Sequence, residues 1–164
     1  LPYDTEGLLV KELYGDEFWL TAHADEPALK APEVKVAASM TDRLLLLEEG
    51  HCLREHSLRA CRQKETPSPD GVEATSLLTL VQMVEAGLGI ALLPEMAIKG
   101  GILNNTSLMA RPLSAPAPKR GIALVARQTT ARIDEFMAIA NIIAEQHHQS
   151  HKSTVSRKKA FKTK

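Results

Sequence analysis

The sequence is poor in the features that mark several specialised classes of protein. Its 164 residues include two cysteines and 4% aromatic residues. Aliphatic side chains must therefore form most of the hydrophobic core. The two cysteines are not expected to form a structural disulfide by default. No apolar run approaches the roughly 20 residues that span a bilayer. The first four residues carry neither the basic nor the apolar segment of a secretory signal. The composition therefore predicts a cytoplasmic globular protein with no membrane contact.

The formal net charge of zero hides an uneven distribution. Residues 152–164 contain six basic residues and no acid, so the remaining residues carry 14 basic and 20 acidic groups, a net charge of −6. A body of that sign repels nucleic acid. We predict that residues 151–164 form a basic, disordered tail.

Apolar runs alternate with segments rich in helix formers, which predicts an α/β fold with a mostly parallel sheet. The strand-like runs are 8–10, 18–24, 44–47, 72–74, 89–94 and 121–126. The helical segments are 36–43, 51–64, 76–86 and 131–146. Thr75 or Ser76 is expected to cap the third helix, and Gly87 to end it. The last helix is expected to turn its apolar residues inward: Ile133, Phe136, Ile139, Ala140 and Ile143.

Two segments resemble known regulators. Residues 73–94 resemble the strand–helix–strand signature of LysR-type effector domains. The run Gly50-His51-Cys52-Leu53-Arg54 resembles the sensing loop of the OxyR group of that family, in which the second cysteine has the separation that Cys61 has from Cys52. The resemblance extends from residue 7 to about residue 146.

The resemblance implies a periplasmic-binding-protein-like LysR-type effector domain, with one lobe nearly complete and the other only partly represented. Residues 1–13 would cross into the second lobe, 14–120 would form effector lobe II with the redox segment, and 121–150 would supply the returning strand and helix of lobe I. The family's winged helix-turn-helix, linker helix and first half of lobe I have no counterpart here. We therefore expect that the chain alone does not bind an operator.

Cys52 is the expected peroxide-reactive residue by this resemblance. Peroxide oxidises a thiolate rather than a thiol, and a helix N-terminus favours a negative sulfur. His51 is the candidate donor to the departing hydroxide. We also place Arg54 in the peroxide pocket, because a cation near Cys52 would favour the thiolate. The resemblance adds Arg120 and Thr75, although Thr75 serves equally well as a helix cap.

Cys61 is the expected resolving residue, again by resemblance. Oxidised Cys52 would be a sulfenic acid, which a second thiol converts to a disulfide. If residues 52–61 formed one helix, the two residues would be roughly 13.5 Å apart along its axis, whereas a disulfide needs Cα atoms within about 7 Å. Oxidation would therefore remodel the segment, as a switch requires.

The implied function is that of a sensor rather than of a turnover enzyme. The intact regulator would be a homo-oligomer, a dimer or tetramer, that contacts DNA and RNA polymerase. Hydrogen peroxide would oxidise it and a glutaredoxin-type reductant would restore it. No cofactor is expected.

Three other interpretations of the cysteine segment remain open. The two cysteines can be inert thiols in an effector domain that binds a small organic anion. His51, Cys52, His56 and Cys61 are four potential metal ligands, but their spacing fits no compact zinc pattern, so we expect no metal. A thiol peroxidase would consume peroxide continuously, yet the chain has no Cys-x-x-Cys motif.

Overall fold

The structure is a computed structural model that describes residues 5–36, 38–60 and 72–160. Contacts between Cα atoms divide the chain into two units, one of residues 16–120 and the other of residues 1–15 with 121–164. The chain therefore passes between the units twice, after residue 15 and after residue 120. Assigning these units to the two lobes of an effector domain stays a prediction.

One long strand, β1 (Leu8–His23), runs through the first passage. The sequence predicted two separate strands here, 8–10 and 18–24, and that prediction is wrong. A charged residue is tolerated within the strand because the Asp16 carboxylate pairs with Arg120 and accepts a backbone N–H.

The other strands are β2 (Ala91–Pro94), β3 (Leu108–Pro112) and β4 (Lys119–Arg127), and all three pair with β1. The pairings of β1 with β2 and with β3 are antiparallel, which corrects the expected mostly parallel sheet. Parallel pairing occurs at three isolated bridges, Val34–Leu113, Leu44–Ile90 and Leu47–Ala74. The apolar run 44–47 is buried as predicted, but it bridges its neighbours at single positions and does not form a strand.

The helices are α1 (Ala38–Thr41), α2 (Cys52–Ala60), α3 (Leu77–Glu85), α4 (Glu95–Lys99) and α5 (Ile133–Ala160), with a 3₁₀ turn at Pro27–Lys30. Ser76, rather than Thr75, caps α3, because its Oγ accepts a hydrogen bond of 3.1 Å from the Thr79 N–H. Gly87 follows the end of α3 with a φ of 78°, a conformation that glycine adopts without strain. The predicted start and stop of this helix are confirmed.

The last helix differs from the prediction at its end. We expected it to end at residue 146 and to be followed by a disordered tail, yet α5 continues to Ala160. No glycine or proline occurs after residue 121, so nothing in the sequence interrupts the helix. Residues 161–164 lie outside the described residues.

The core lies in the unit of residues 16–120, where Phe18, Leu44, Leu46, Val81, Ile90 and Leu93 are almost fully buried. In the other unit α5 buries Phe136 and Ala140, whereas Ile133 and Ile139 are 48% and 50% exposed. The prediction that those two isoleucines face inward is wrong. Within the described ranges, no helix is long and apolar enough to cross a membrane.

Candidate functional site: the start of helix α2

Cys52 is the first residue of α2, and its side chain is a partly exposed free thiol. Gly50, with a φ of 90°, turns the chain just before it, and the His51 N–H donates to the Glu48 carbonyl at 3.3 Å. The Arg54 N–H then donates to the His51 carbonyl at 2.9 Å. Cys52 thus lies at a helix N-terminus, an end that favours negative charge, and its partly exposed thiol is in reach of a small oxidant.

Helix α2 rests on the core through its apolar face. Leu53, Ser57 and Leu58 are at most 9% exposed, and the His56 ring lies 5.8 Å from that of Phe18 on β1. Burial lowers the pKa of His56 below 6.5, and the charges of Arg59 and Arg120 lower it further. The surroundings of this histidine therefore favour its neutral form.

The guanidinium of Arg54 is held by two partners. It donates to the Leu47 carbonyl at 3.0 Å and forms an ion pair with Glu73. The two side chains are only 16% and 27% exposed. Sequence reasoning placed Arg54 beside the thiol and missed Glu73, which lies in the predicted strand 72–74. The role of Arg54 in a peroxide pocket stays a prediction.

Arg120 is similarly engaged with Asp16. Its Nε and Nη2 each lie 3.0 Å from the Asp16 Oδ2 atom, and Nη2 is 3.1 Å from the sulfur of Met96. The Asp16 Oδ1 atom accepts a hydrogen bond of 3.0 Å from the Met96 N–H. Asp16 is 2% exposed and was not predicted as a functional residue. Arg120 is thus a partly buried cation near His56, and its contact with peroxide stays a prediction.

The remaining predicted residues lie around the same turn. His51 is exposed beside Cys52, and Thr75 is exposed one residue after the Leu47–Ala74 bridge. Cys61 lies outside the described residues. Among the residues that the structure describes, no group of three His, Cys, Asp or Glu side chains is arranged to hold a metal ion.

The chain matches the LysR substrate binding domain over residues 1–146. It belongs to that family. The predicted effector-domain fold is thereby confirmed.

Curated relatives are transcriptional regulators by name. The HTH-type transcriptional regulator EstR of Acinetobacter baylyi is 39% identical over 149 residues, which are 87% of this chain and 47% of that protein. A probable hydrogen peroxide-inducible genes activator of Mycobacterium leprae is 35% identical over 153 residues, 90% of this chain and 49% of that protein. The chain thus spans about half the length of the curated relatives it matches.

Solved structures that resemble the chain include regulatory domains of the OxyR group. The reduced form of the OxyR regulatory domain from Pseudomonas aeruginosa superposes with a TM-score of 0.73 at 33% identity. The match covers 88% of this chain and 69% of that domain. The predicted resemblance to OxyR regulatory domains is confirmed in both sequence and fold.

Proposed function

We propose that the chain is the peroxide-sensing part of a LysR-type transcription activator, with Cys52 as the reacting thiol and Cys61 as its partner. The observation that carries the proposal is the position of Cys52: a partly exposed free thiol at the first residue of a helix. The likeness to proteins named as hydrogen peroxide-inducible activators supports it.

The proposed chemistry has two steps. The Cys52 thiolate attacks one peroxide oxygen, the O–O bond breaks, and Cys52 becomes a sulfenic acid as hydroxide leaves. His51, exposed beside the thiol, is the candidate that donates a hydrogen bond to the leaving hydroxide. The Cys61 sulfur then attacks the Cys52 sulfur, and a disulfide forms as water leaves. Each bridge consumes one peroxide and two thiols, and a cellular dithiol such as a glutaredoxin reverses it.

The rest of the proposal concerns the intact regulator. The regulator would be a cytoplasmic homo-oligomer in which the remodelled α2 segment changes how subunits pack, and thereby the contacts with promoter DNA and RNA polymerase. Arg120 and Thr75 are proposed to line the peroxide pocket with His51 and Arg54.

Two cysteine variants test the assignment of roles. In Cys61→Ser, peroxide should produce a sulfenic acid on Cys52 that a dimedone probe labels, with no intramolecular disulfide. In Cys52→Ser, Cys61 should stay reduced over the same time. Peptide mass spectrometry reads both. Equal labelling of the two cysteines, or an unreactive Cys52, would contradict the assignment.

A second candidate function is an effector domain that responds to a small organic anion, with incidental cysteines. The relative EstR, 39% identical against 35% for the mycobacterial activator, is named as a transcriptional regulator without mention of peroxide, which favours it. That function predicts no structural response to peroxide. It also predicts that Cys52→Ser leaves regulation by the intact protein unchanged. Peroxide consumption beyond one equivalent, driven by a dithiol reductant, would instead indicate a peroxidase.

A further inference from the structure

The first turn of α2 is tied to the core by one cation. The Arg54 guanidinium lies between the Leu47 carbonyl, 3.0 Å away, and the Glu73 carboxylate. We refer to Arg54, Glu73 and the Leu47 carbonyl as the Arg54 clamp. Cys52 and Arg54 are two positions apart in the same helical turn, so the clamp fixes the turn that presents the thiol.

The clamp residues Glu73 and Leu47 lie at the parallel bridge between Leu47 and Ala74. The Ala74 N–H donates to the Leu46 carbonyl at 3.0 Å, and the Glu48 N–H donates to the Ala74 carbonyl at 3.1 Å. Glu73 is therefore held at a fixed register beside residues 46–48. With its two side chains 16% and 27% exposed, this pair is less screened by water than an exposed one, and both hydrogen bonds of the cation are charge-assisted.

The clamp is present in the helical form of α2. Arg54 contacts Leu47 and Glu73 from the first turn of that helix, where its own N–H donates to the His51 carbonyl. A disulfide from Cys52 to Cys61 requires α2 to unwind at least in part, because an intact helix from Cys52 to Ala60 leaves the Cα atoms of the two cysteines too far apart. Whatever stabilises the helical form therefore opposes the disulfide.

We propose that Glu73 is a positioning residue that sets the redox equilibrium of the Cys52–Cys61 pair through the Arg54 clamp. The inference rests on the proposed function, since it assumes that the pair forms a disulfide. Glu73 touches neither the thiol nor peroxide in this account. It stabilises the reduced, helical form and so sets how oxidising the surroundings must be before the switch converts.

The test is the equilibrium between dithiol and disulfide in glutathione buffers of graded potential. Glu73→Gln removes the charge that holds Arg54 and keeps the side-chain size, so the disulfide should become about tenfold more favoured. This shifts the midpoint by about 30 mV toward more negative potential for a two-electron couple. Glu73→Asp, which keeps the charge on a shorter stem, should fall between Glu73→Gln and the wild type.

The same helix offers a matched control. Glu55 and Arg59 form an ion pair four residues apart, with side chains 60% and 67% exposed. Glu55→Gln and Glu73→Gln each remove one carboxylate. The first lies on α2 and the second is paired with Arg54 of α2. Because exposed pairs contribute little, Glu55→Gln should change the equilibrium less than threefold. Far-ultraviolet circular dichroism of each reduced variant confirms that it folds.

The outcomes separate the two proposals. A disulfide that forms in the wild type, with the same midpoint in Glu73→Gln, would overturn the inference and leave the proposed function standing. A wild-type chain that forms no Cys52–Cys61 bridge at any potential would overturn both. An equal shift in Glu55→Gln would show a general charge effect and also overturn the role of Glu73.

Discussion

One buried carboxylate, that of Asp16, joins distant parts of this chain. Asp16 is 2% exposed and pairs with Arg120, which is 104 positions away, while it also accepts the Met96 N–H. Such a carboxylate is stable in the interior only because each oxygen has a partner. Sequence reasoning singled out Arg120 by resemblance, but it did not find Asp16, because no local pattern links positions so far apart.

His56 makes the free energy of unfolding depend on pH. Because burial holds its folded-state pKa below 6.5, the unfolded chain takes up the proton first as the pH falls. The stability that neutral His56 contributes is therefore fully present above pH 6.5 and is lost as the pH falls through the window below it. Glu55 opposes this shift, whereas Arg59 and Arg120 add to it.

We predict that His56→Gln weakens the loss of stability between pH 7 and pH 5. Urea unfolding of wild type and variant at several pH values measures it. His148→Gln, a change at an exposed position on α5, is the control and should retain the wild-type dependence. A steeper loss in His56→Gln than in the wild type would contradict the assignment.

At the scale of elements, α2 and the proposed disulfide exclude one another. Cys52 and Ala60 bound the helix, so their Cα atoms are about 12 Å apart along its axis. Cys61 is one residue further on, and a single peptide spans about 3.8 Å. Wherever Cys61 lies, its Cα stays at least about 8 Å from that of Cys52 while α2 is intact, and a disulfide requires about 7 Å or less.

Oxidation should therefore remove protection from the amides of α2. We predict that hydrogen exchange of residues 55–60 accelerates at least tenfold in the disulfide form, because their helical hydrogen bonds open. Residues of α3, capped by Ser76, should keep their protection. Unchanged exchange across α2 in a protein shown to carry the bridge would refute the remodelling.

Elements that are determined by neighbouring residues could be predicted from the sequence, whereas those that depend on tertiary contacts could not. The cap Ser76 and the stop Gly87 are local, and they fixed α3 correctly. The helix predicted from residue 51 begins one residue later, at Cys52. The antiparallel pairing of β1 and the ion pair of Glu73 with Arg54 depend on tertiary contacts, so the sequence alone did not predict them. Cys61 lies outside the described residues, and its role stays a prediction.

At the scale of the whole molecule, large apolar side chains are exposed in both units, and three of them lie on α5. Ile133, Ile139 and Ile142 of α5 are 48%, 50% and 59% exposed, and Val125 of β4 is 42% exposed. Scattered exposed apolar residues are ordinary, but Ile139 and Ile142 lie three positions apart and are neighbours on the surface of α5. We expect this pair to have an affinity for apolar probes.

We predict that Ile142→Gln reduces binding of an apolar dye such as anilinonaphthalene sulfonate and changes the free energy of unfolding by no more than about 0.5 kcal/mol. Dye fluorescence and urea unfolding measure the two effects. Phe136→Ala is the contrasting variant, because Phe136 is 8% exposed and its loss should cost about 3 kcal/mol. Comparable destabilisation by both changes would show that Ile142 is packed.

The most direct test of the central claim counts thiols after a brief dose of about one equivalent of hydrogen peroxide on the reduced chain. The account predicts rapid loss of both thiols and a peptide that carries the Cys52–Cys61 bridge, identified by mass spectrometry. Two free thiols after that dose, in a protein that folds normally, would contradict the assignment of this chain as a peroxide sensor.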